Sequence, residues 1–399
     1  MLTKGQMEKY ADVLLWGLKT SRQGRFGKGE IVQIQFDLAA VPLAERLQYR
    51  LLKMGINPVL RLGLTPVMEH NFLKAASNSQ LAFLAPGRKE LAEALAGSIY
   101  LRAPESLTHL SDIDPKKIGK ALIAQKVLRD ILQKREEKGL YGWTLCALPT
   151  NEQARCANLS MKQYCSQIVR ACYLDKPDPV RAWKSIYRDA ASIKKWMNGM
   201  DVKYFHVESE NIDLKITPGK QRKWIGISGH NIPSFEIFIS PDWRGTEGVY
   251  YADQPSFRSG NYVEGVRLFF RKGQVTNIGA KKGEGFVKKQ LSMDKGARRT
   301  GEFSLTDKRF SRINRFMANT LYDENYGGRH GNCHLAVGAS FSNTYDGDSS
   351  KLTREVKQQL GFNDSALHWD LVNTEKKSVT ARLKNGRAVV IYENGQFQY

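Results

Sequence analysis

The sequence predicts two domains of different class: an α/β N-terminal domain with a mainly parallel sheet, followed by an α+β, β-rich C-terminal domain. Three observations carry this expectation. The chain has 399 residues, more than one ordinary core organises and comfortable for two. Its first half alternates strand-like and helical segments, the pattern of βαβ units. Its second half is rich in short strand-like runs and turn dipeptides. The expected division is residues 1–200 and residues 201–399.

At the start, Tyr10, Val13, Leu14, Gly17 and Leu18 recur at helical spacing, while Glu8, Lys9 and Asp12 interrupt the apolar residues. That is an amphipathic helix, not the unbroken apolar core of a signal peptide. No stretch approaches the roughly 18 apolar residues of a membrane span. A cytoplasmic protein with no membrane partner is expected. Glu30 to Phe36 follows as a strand, Pro42 to Met54 as a helix with Leu43, Leu47, Leu51 and Leu52, and Pro58 to Leu62 as a second strand. Further strands are expected near Gly97 to Leu101 and Gly142 to Leu148, separated by a long charged helix from about Pro115 to Lys138. Beyond residue 200, Val202 to Ile216 alternates. Lys223 to Ile227 and Val266 to Phe270 are strand-like, the latter followed by the turn Lys272-Gly273.

Composition narrows the function classes. An apolar fraction of 41% and a charged fraction of 25% are those of a globular chain. The five cysteines, Cys146, Cys156, Cys165, Cys172 and Cys333, form an odd set with no Cys-x-x-Cys. Free thiols in a reducing compartment are expected. The net charge of +21 raises nucleic-acid binding. Yet the basic residues are spread out in short clusters such as Lys281-Lys282, Lys288-Lys289 and Arg298-Arg299, with no zinc-finger or RNP-like pattern. The distribution argues against a specific nucleic-acid surface.

Four segments of the second half carry the chemistry. Residues i and i+2 of a strand share a face. In Phe235 to Ser240, Glu236 lies opposite Phe235, Ile237 and Ile239. In Gly301 to Thr306, Glu302 lies opposite Phe303 and Leu305. In Leu367 to Leu371, His368 and Asp370 stand side by side opposite three apolar residues, and His334 opens the apolar run ending at Gly338. One such acid is usually just the solvent side of a strand. As a set, two imidazoles and several carboxylates suit zinc, cobalt or manganese, and exceed what one tetrahedral zinc uses. Two metals sharing a carboxylate or water would need about this many.

These residues sit in ordered blocks that resemble the aminopeptidase T and aminopeptidase S type of thermophilic metalloaminopeptidases. The blocks are Asn231-Ile232-Pro233-Ser234-Phe235-Glu236, Gly265 to Phe270 with Gly273, Gly296-Ala297-Arg298 leading to Gly301-Glu302, Thr320 to Asn325 with His334 to Gly338, and Gly361 to Ser365 before His368-Trp369-Asp370. In the first half, Trp143 and Leu148-Pro149-Thr150 are similar to the N-terminal domain of that family. The resemblance implies a dinuclear site with Glu236, Glu302, Glu324, His334, His368 and Asp370 as metal ligands. Two divalent ions are implied, Zn2+ or Co2+, with Mg2+ or Mn2+ as alternatives. It also implies a C-terminal catalytic domain and a homodimer. The activity implied is metal-dependent release of N-terminal residues from peptides with a free N-terminus, by a dimetal-activated water. The alternatives are a catalytically impaired metal-binding homologue or a basic nucleic-acid-associated protein.

There are three departures. Phe341 stands where the family often has a tyrosine thought to assist catalysis, and Tyr345 is the nearest substitute. Phe235 precedes Glu236 where glycine or an acid is common. Residues 326–333, including His330, lengthen the stretch between Glu324 and His334.

Overall fold

A capping box starts the first helix: the Gln6 N–H donates to the Thr3 hydroxyl, and the Thr3 N–H donates to the Gln6 side chain. This helix, α1, spans Lys4–Thr20 and buries Tyr10, Val13, Leu14 and Leu18. The computed structural model describes residues 1–399. Strand β1 is Ile31–Phe36, helix α2 is Val41–Lys53 and strand β2 is Asn57–Leu62. Three helices follow, α3 (Pro66–Ala75), α4 (Asn78–Leu81) and α5 (Arg88–Ala94), before β3 at Leu95–Arg102. The long helix α6, Pro115–Glu137, has Asp114 as its N-cap and Pro115 in its first turn. It leads to β4, Gly142–Ala147, then to α7 (Asn151–Cys156), α8 (Met161–Ala171) and α9 (Pro179–Asn198).

The first sheet runs β2-β1-β3-β4, with every neighbouring pair parallel. Its central strands explain why: β3 is apolar and buried almost throughout, as a strand covered on both faces must be. A fifth strand joins from far along the chain. After β5 (Val202–Ser209) and β6 (Asp213–Ile216), the short β7, Asn231–Ile232, pairs parallel with β4. Accordingly, the chain divides into two compact units, and the division is not a single cut. One unit holds Met1–Tyr187, Ile227–Ser234 and Met317–Leu321; the other holds Arg188–Gly226, Phe235–Phe316 and Tyr322–Tyr399. No helix is long and apolar enough to cross a membrane.

The second unit is built from antiparallel strands. These are β8 (Glu236–Ile239), β9 (Glu247–Ala252), β10 (Ser256–Arg258), β11 (Asn261–Val263), β12 (Val266–Arg271), β13 (Gln274–Gly279), β14 (Thr300–Thr306), β15 (Asn332–Gly338), β16 (His368–Asn373), β17 (Lys377–Leu383), β18 (Ala388–Glu393) and β19 (Gln396–Phe397). An eight-stranded sheet runs β13-β12-β9-β6-β5-β17-β18-β19, and a four-stranded sheet runs β16-β15-β14-β8. They meet through apolar side chains: Trp224 packs edge-on against Phe205 of β5 and Phe303 of β14. Buried tyrosines also bridge them. Tyr250 of β9 donates to the Leu371 carbonyl at 2.6 Å, and Tyr392 of β18 donates to the Thr306 carbonyl at 2.7 Å. Each hydroxyl thereby satisfies its buried polar group while the ring fills the core.

The strand-like run Lys223 to Ile227 is not a strand. It makes one isolated bridge, Ile225 with Phe238, because Gly226 at φ 144° and Ile227 at φ 52° turn the backbone out of the extended region. The turn at Lys272-Gly273 forms as expected, with φ of 50° and 72°.

One glycine ties this fold to the residues of interest. Gly338 ends β15 opposite His368, at φ 105°. A Cβ there would lie 2.2 Å from the Leu367 carbonyl oxygen. Gly338→Ala is expected to cost about 1–3 kcal/mol through backbone strain. Urea unfolding checks it; an unchanged midpoint would count against this geometry.

Candidate metal centre

The four-stranded sheet has two unlike faces, and along β8, β14 and β15 both are buried. Toward the core it presents Phe303, Leu305, Leu335, Trp369 and Leu371, none more than 2% exposed. On the other face the register brings polar residues from every strand together. Thr306 pairs with Glu236, Ser304 with His334, Glu302 with Ala336, and Ala336 in turn with Asp370. Glu302 and Asp370 therefore flank one small residue, Ala336, which leaves space between them. Glu236 and Glu302 are only 6% and 3% exposed, so neither lies on a solvent face.

The side chains converge. His334 Nε2 lies 3.0 Å from Glu302 Oε1, 3.4 Å from Glu236 Oε2 and 3.9 Å from Asp370 Oδ1. His368 Nε2 lies 3.1 Å from Asp370 Oδ1 and 3.8 Å from Glu302 Oε2. Glu236, Glu302 and His334 each offer one donor atom within a span of 4.8 Å. Glu324 follows α11, Thr320–Asp323. (The short α10 is Glu284–Gln290.) Its main-chain carbonyl accepts from Thr306 Oγ1 and Asn332 Nδ2, both at 3.1 Å. Its carboxyl faces the same group: after burial itself, the charges of Glu236, Asp370 and Glu302 push it well above the ordinary range.

Electrostatics show what this arrangement lacks. Burial first, and neighbouring acids after it, push Glu236 and Glu302 up to about 8. The His334 imidazole works against this at Glu236, and His368 at Glu302. Asp370 differs: burial raises it, but His368 and then His334 hold it below the usual carboxylate range. His368 is raised, since Asp370 and Glu302 outweigh the cost of burying its charge. Two imidazoles cannot balance four acids in so dry a place, and further positive charge would. The donor set is oxygen and imidazole nitrogen with no thiolate, which fits divalent cations of the zinc, cobalt and manganese kind.

Supporting contacts fix the donors. His368 Nδ1 donates to the Ala339 carbonyl at 2.8 Å, which leaves Nε2 facing the acids. His334 Nδ1 is buried and has no hydrogen-bond partner, so this ring is held through Nε2. Asn325 was not foreseen from the sequence. It is fully buried, its Nδ2 lies 3.5 Å from Glu324 Oε1, and its Oδ1 accepts from the Phe235 N–H beside Glu236. Its position next to Glu324 was the only clue available.

A family profile described as "Thermophilic metalloprotease (M29)" matches residues 3–397. The chain belongs to this family. It is therefore a metal-dependent peptidase by descent. Among relatives of this metalloprotease is Aminopeptidase 2 of Geobacillus stearothermophilus, 26% identical over 396 residues that cover 93% of this chain and 94% of that protein. Aminopeptidase T of Thermus aquaticus is 28% identical over 307 residues, covering 72% and 73%. The solved structure of wild-type AmpT from Thermus thermophilus has the same fold, with a TM-score of 0.79, 21% identity and 99% of each chain covered.

The departures now have positions in this metalloprotease. Phe341 lies at the metal-ligand candidates: its ring packs on the His368 imidazole, centroids 4.6 Å apart, and edge-on against Phe238 at 5.9 Å. Tyr345 packs against Phe362, centroids 6.4 Å apart. His330 is not brought to the group. Burial lowers its pKa first, and Arg329, Lys377, Lys308 and Lys376 lower it further, so its surroundings are cationic.

The raised glutamates set the pH dependence of the metal-free protein. Folded Glu236 and Glu302 bind protons more tightly than in the unfolded chain, whose carboxyls titrate near 4.5. Stability therefore falls as pH rises from about 4.5 to about 8. In chelator, the thermal midpoint is expected to be higher at pH 6 than at pH 8. Added zinc should raise the midpoint most at pH 8, because the ligands must be deprotonated. A chelated protein more stable at pH 8 would contradict the arrangement.

Proposed function

We propose that this metalloprotease is an aminopeptidase that holds two divalent cations, zinc or cobalt, on Glu236, Glu302, Glu324, His334, His368 and Asp370. The observation that supports it is the convergence of Glu236, Glu302 and Asp370 on two imidazoles, with the buried Glu324 beside them, in a chain whose relatives are named aminopeptidases. When bound, two such ions polarise a peptide carbonyl and lower the pKa of a shared water. The residues do the rest. Glu302 lies between both imidazoles and is placed to bridge the two halves of the site. His368 and Asp370 are the most exposed members, at 21% and 16% for their side chains. Substrate therefore approaches over β16, and the acidic group attracts the α-ammonium of a free N-terminus. The deeper members, Glu236, Glu302 and His334, are nearly closed off from bulk solvent. In this reading residues 201–399 form the catalytic domain, the enzyme works in the cytoplasm, and a homodimer is its assembly.

Phe341 favours a second reading, a metal-binding homologue with weakened turnover. A phenyl ring beside His368 offers no hydrogen bond to a developing oxyanion, a contact worth about 2.7–4 kcal/mol where it exists.

Chelation is expected to abolish hydrolysis of aminoacyl reporter substrates, and zinc or cobalt to restore it, while N-terminally blocked peptides stay uncut. Equal activity in chelator would reject the proposal. Glu302→Gln and His368→Ala should each weaken metal affinity by at least about 100-fold, the upper end of what loss of a supporting contact costs. Elemental analysis reads this, and unchanged stoichiometry in both variants would reject the ligand set. Phe341→Tyr separates the two readings. A rise in kcat of about tenfold or more, with little change in KM, marks a missing hydroxyl; no rise marks a site complete without it.

A further inference from the structure

A different cluster, in the N-terminal unit, contains none of the metal-ligand candidates. His230 lies just before β7 and uses both ring nitrogens. Nδ1 is 2.6 Å from the Ser228 hydroxyl, and Nε2 is 2.9 Å from Glu136 Oε1 on α6. With the proton on Nε2, the ring donates to the carboxylate and turns a lone pair toward the serine. That is the order of groups that activates a hydroxyl nucleophile. The other carboxylate-paired histidines differ. His70 and His109 each meet an acid through Nε2, and His206 meets acids on both nitrogens. None of them has a hydroxyl on its second nitrogen.

Three further features make the cluster more than a chance contact. First, the backbone is strained beside the serine: Ile227, a β-branched residue, sits at φ 52°. Second, the segment is pinned to β4 on both sides. Thr144 Oγ1 donates to the Gly229 carbonyl at 2.8 Å, and the Leu145 N–H donates to the His230 carbonyl at 2.6 Å. Third, the N–H of Gly229, the residue after Ser228, donates to no protein group. An N–H at that place relative to a nucleophile is a ready oxyanion donor. A side chain at Gly229 is excluded, since a Cβ would lie 2.6 Å from the Gly17 carbonyl oxygen. Ser228 and His230 are half-buried, not sealed in the core. Trp143 packs on the His230 ring at 4.6 Å and gives the site an apolar aromatic wall.

We propose that Ser228, His230 and Glu136 form a second, metal-independent nucleophilic site that cleaves small activated esters, aryl esters above all. The Ser228 proton passes to His230 Nδ1 as Oγ bonds to the acyl carbon. The carbon–oxygen bond to the leaving group breaks, and His230 returns the proton to the departing alkoxide or phenoxide. Water then attacks the acyl-serine, gives its proton to His230, and releases the carboxylic acid with Ser228 restored. Glu136 accepts from Nε2–H and steadies the charged imidazole.

The test uses the full chain in chelator, which removes any contribution of the metal centre. An alkyl fluorophosphonate is the probe, with peptide mass mapping to locate the adduct and an aryl acetate to follow turnover. The expected result is an adduct on Ser228, absent in Ser228→Ala. Labelling should slow at least about tenfold in His230→Gln and in Glu136→Gln, since general-base help is worth about 10²–10⁴. Near-UV circular dichroism confirms the fold of each variant. Glu136→Gln keeps a neutral acceptor at the same place and decides the matter if His230→Gln is unfolded. No adduct on Ser228, or wild-type labelling rates in the folded variants, would overturn the proposal. Metal-restored peptidase activity in Ser228→Ala should equal wild type; its loss would show that Ser228 serves the metal centre and would overturn the separate site.

Discussion

Gathering four carboxylates and two imidazoles into one largely buried group is the constraint on which the second unit depends. Strands β8, β14 and β15 have no wet face. A sheet in that position ordinarily carries apolar residues on both sides. Here one side packs on the eight-stranded sheet, and the other holds Glu236, Glu302, His334, His368 and Asp370. Such a face is tolerable only when its charges are matched. The imidazoles match part of the charge, and the raised pKa of Glu236 and Glu302 records the remainder. Stability and function therefore meet in one place: the cations that would balance the sheet are those that would make it reactive.

Around that constraint the fold supplies rigidity in graded steps. Ladder register sets which acids are neighbours. Small residues such as Ala336 and Gly338 keep the space between them open. Hydrogen bonds then fix single atoms: the Ala339 carbonyl selects which nitrogen of His368 faces inward, and Thr306 with Asn332 holds the Glu324 backbone. Asn325 links Glu324 to the chain entering β8 beside Glu236. Donors held this way need little reorganisation when a ligand arrives.

The sequence revealed the parts of this that depend on local periodicity. The four polar-faced strands follow from spacing two, and the strands of the parallel sheet and the long charged helix α6 from the alternation of strand-like and helical segments. Their burial did not. A glutamate opposite Phe303 and Leu305 reads the same whether its face meets water or protein, and only tertiary packing decides. The return of residues 227–234 to the first sheet was hidden for a similar reason. Two residues, Asn231 and Ile232, suffice for β7, too few for any pattern. Lys223 to Ile227 misled because its apolar residues suggested a strand while the left-handed backbone at Ile227 prevented one. Ser228 was silent because a single polar residue in a loop has no period, and Asn325, though part of a family-like block, showed no role for the same reason.

The seven histidines show how far surroundings decide what one side chain can do. His70 and His109 each meet an acid through Nε2, and such a pair is self-sufficient at the surface. His330 lies among cations, which oppose a positive charge on it. His230 has one acid and one hydroxyl, the partners that the proposed second site uses. His334 and His368 share three acids, Glu236, Glu302 and Asp370, with Glu324 beside those acids, and a pair of protons cannot neutralise that group. The ratio of acids to bases around each ring, more than the ring itself, separates a surface ion pair from a proton relay and from a place for cations. That ratio is fixed by strand register and loop path, which is why chemistry so distant along the chain becomes local in the fold.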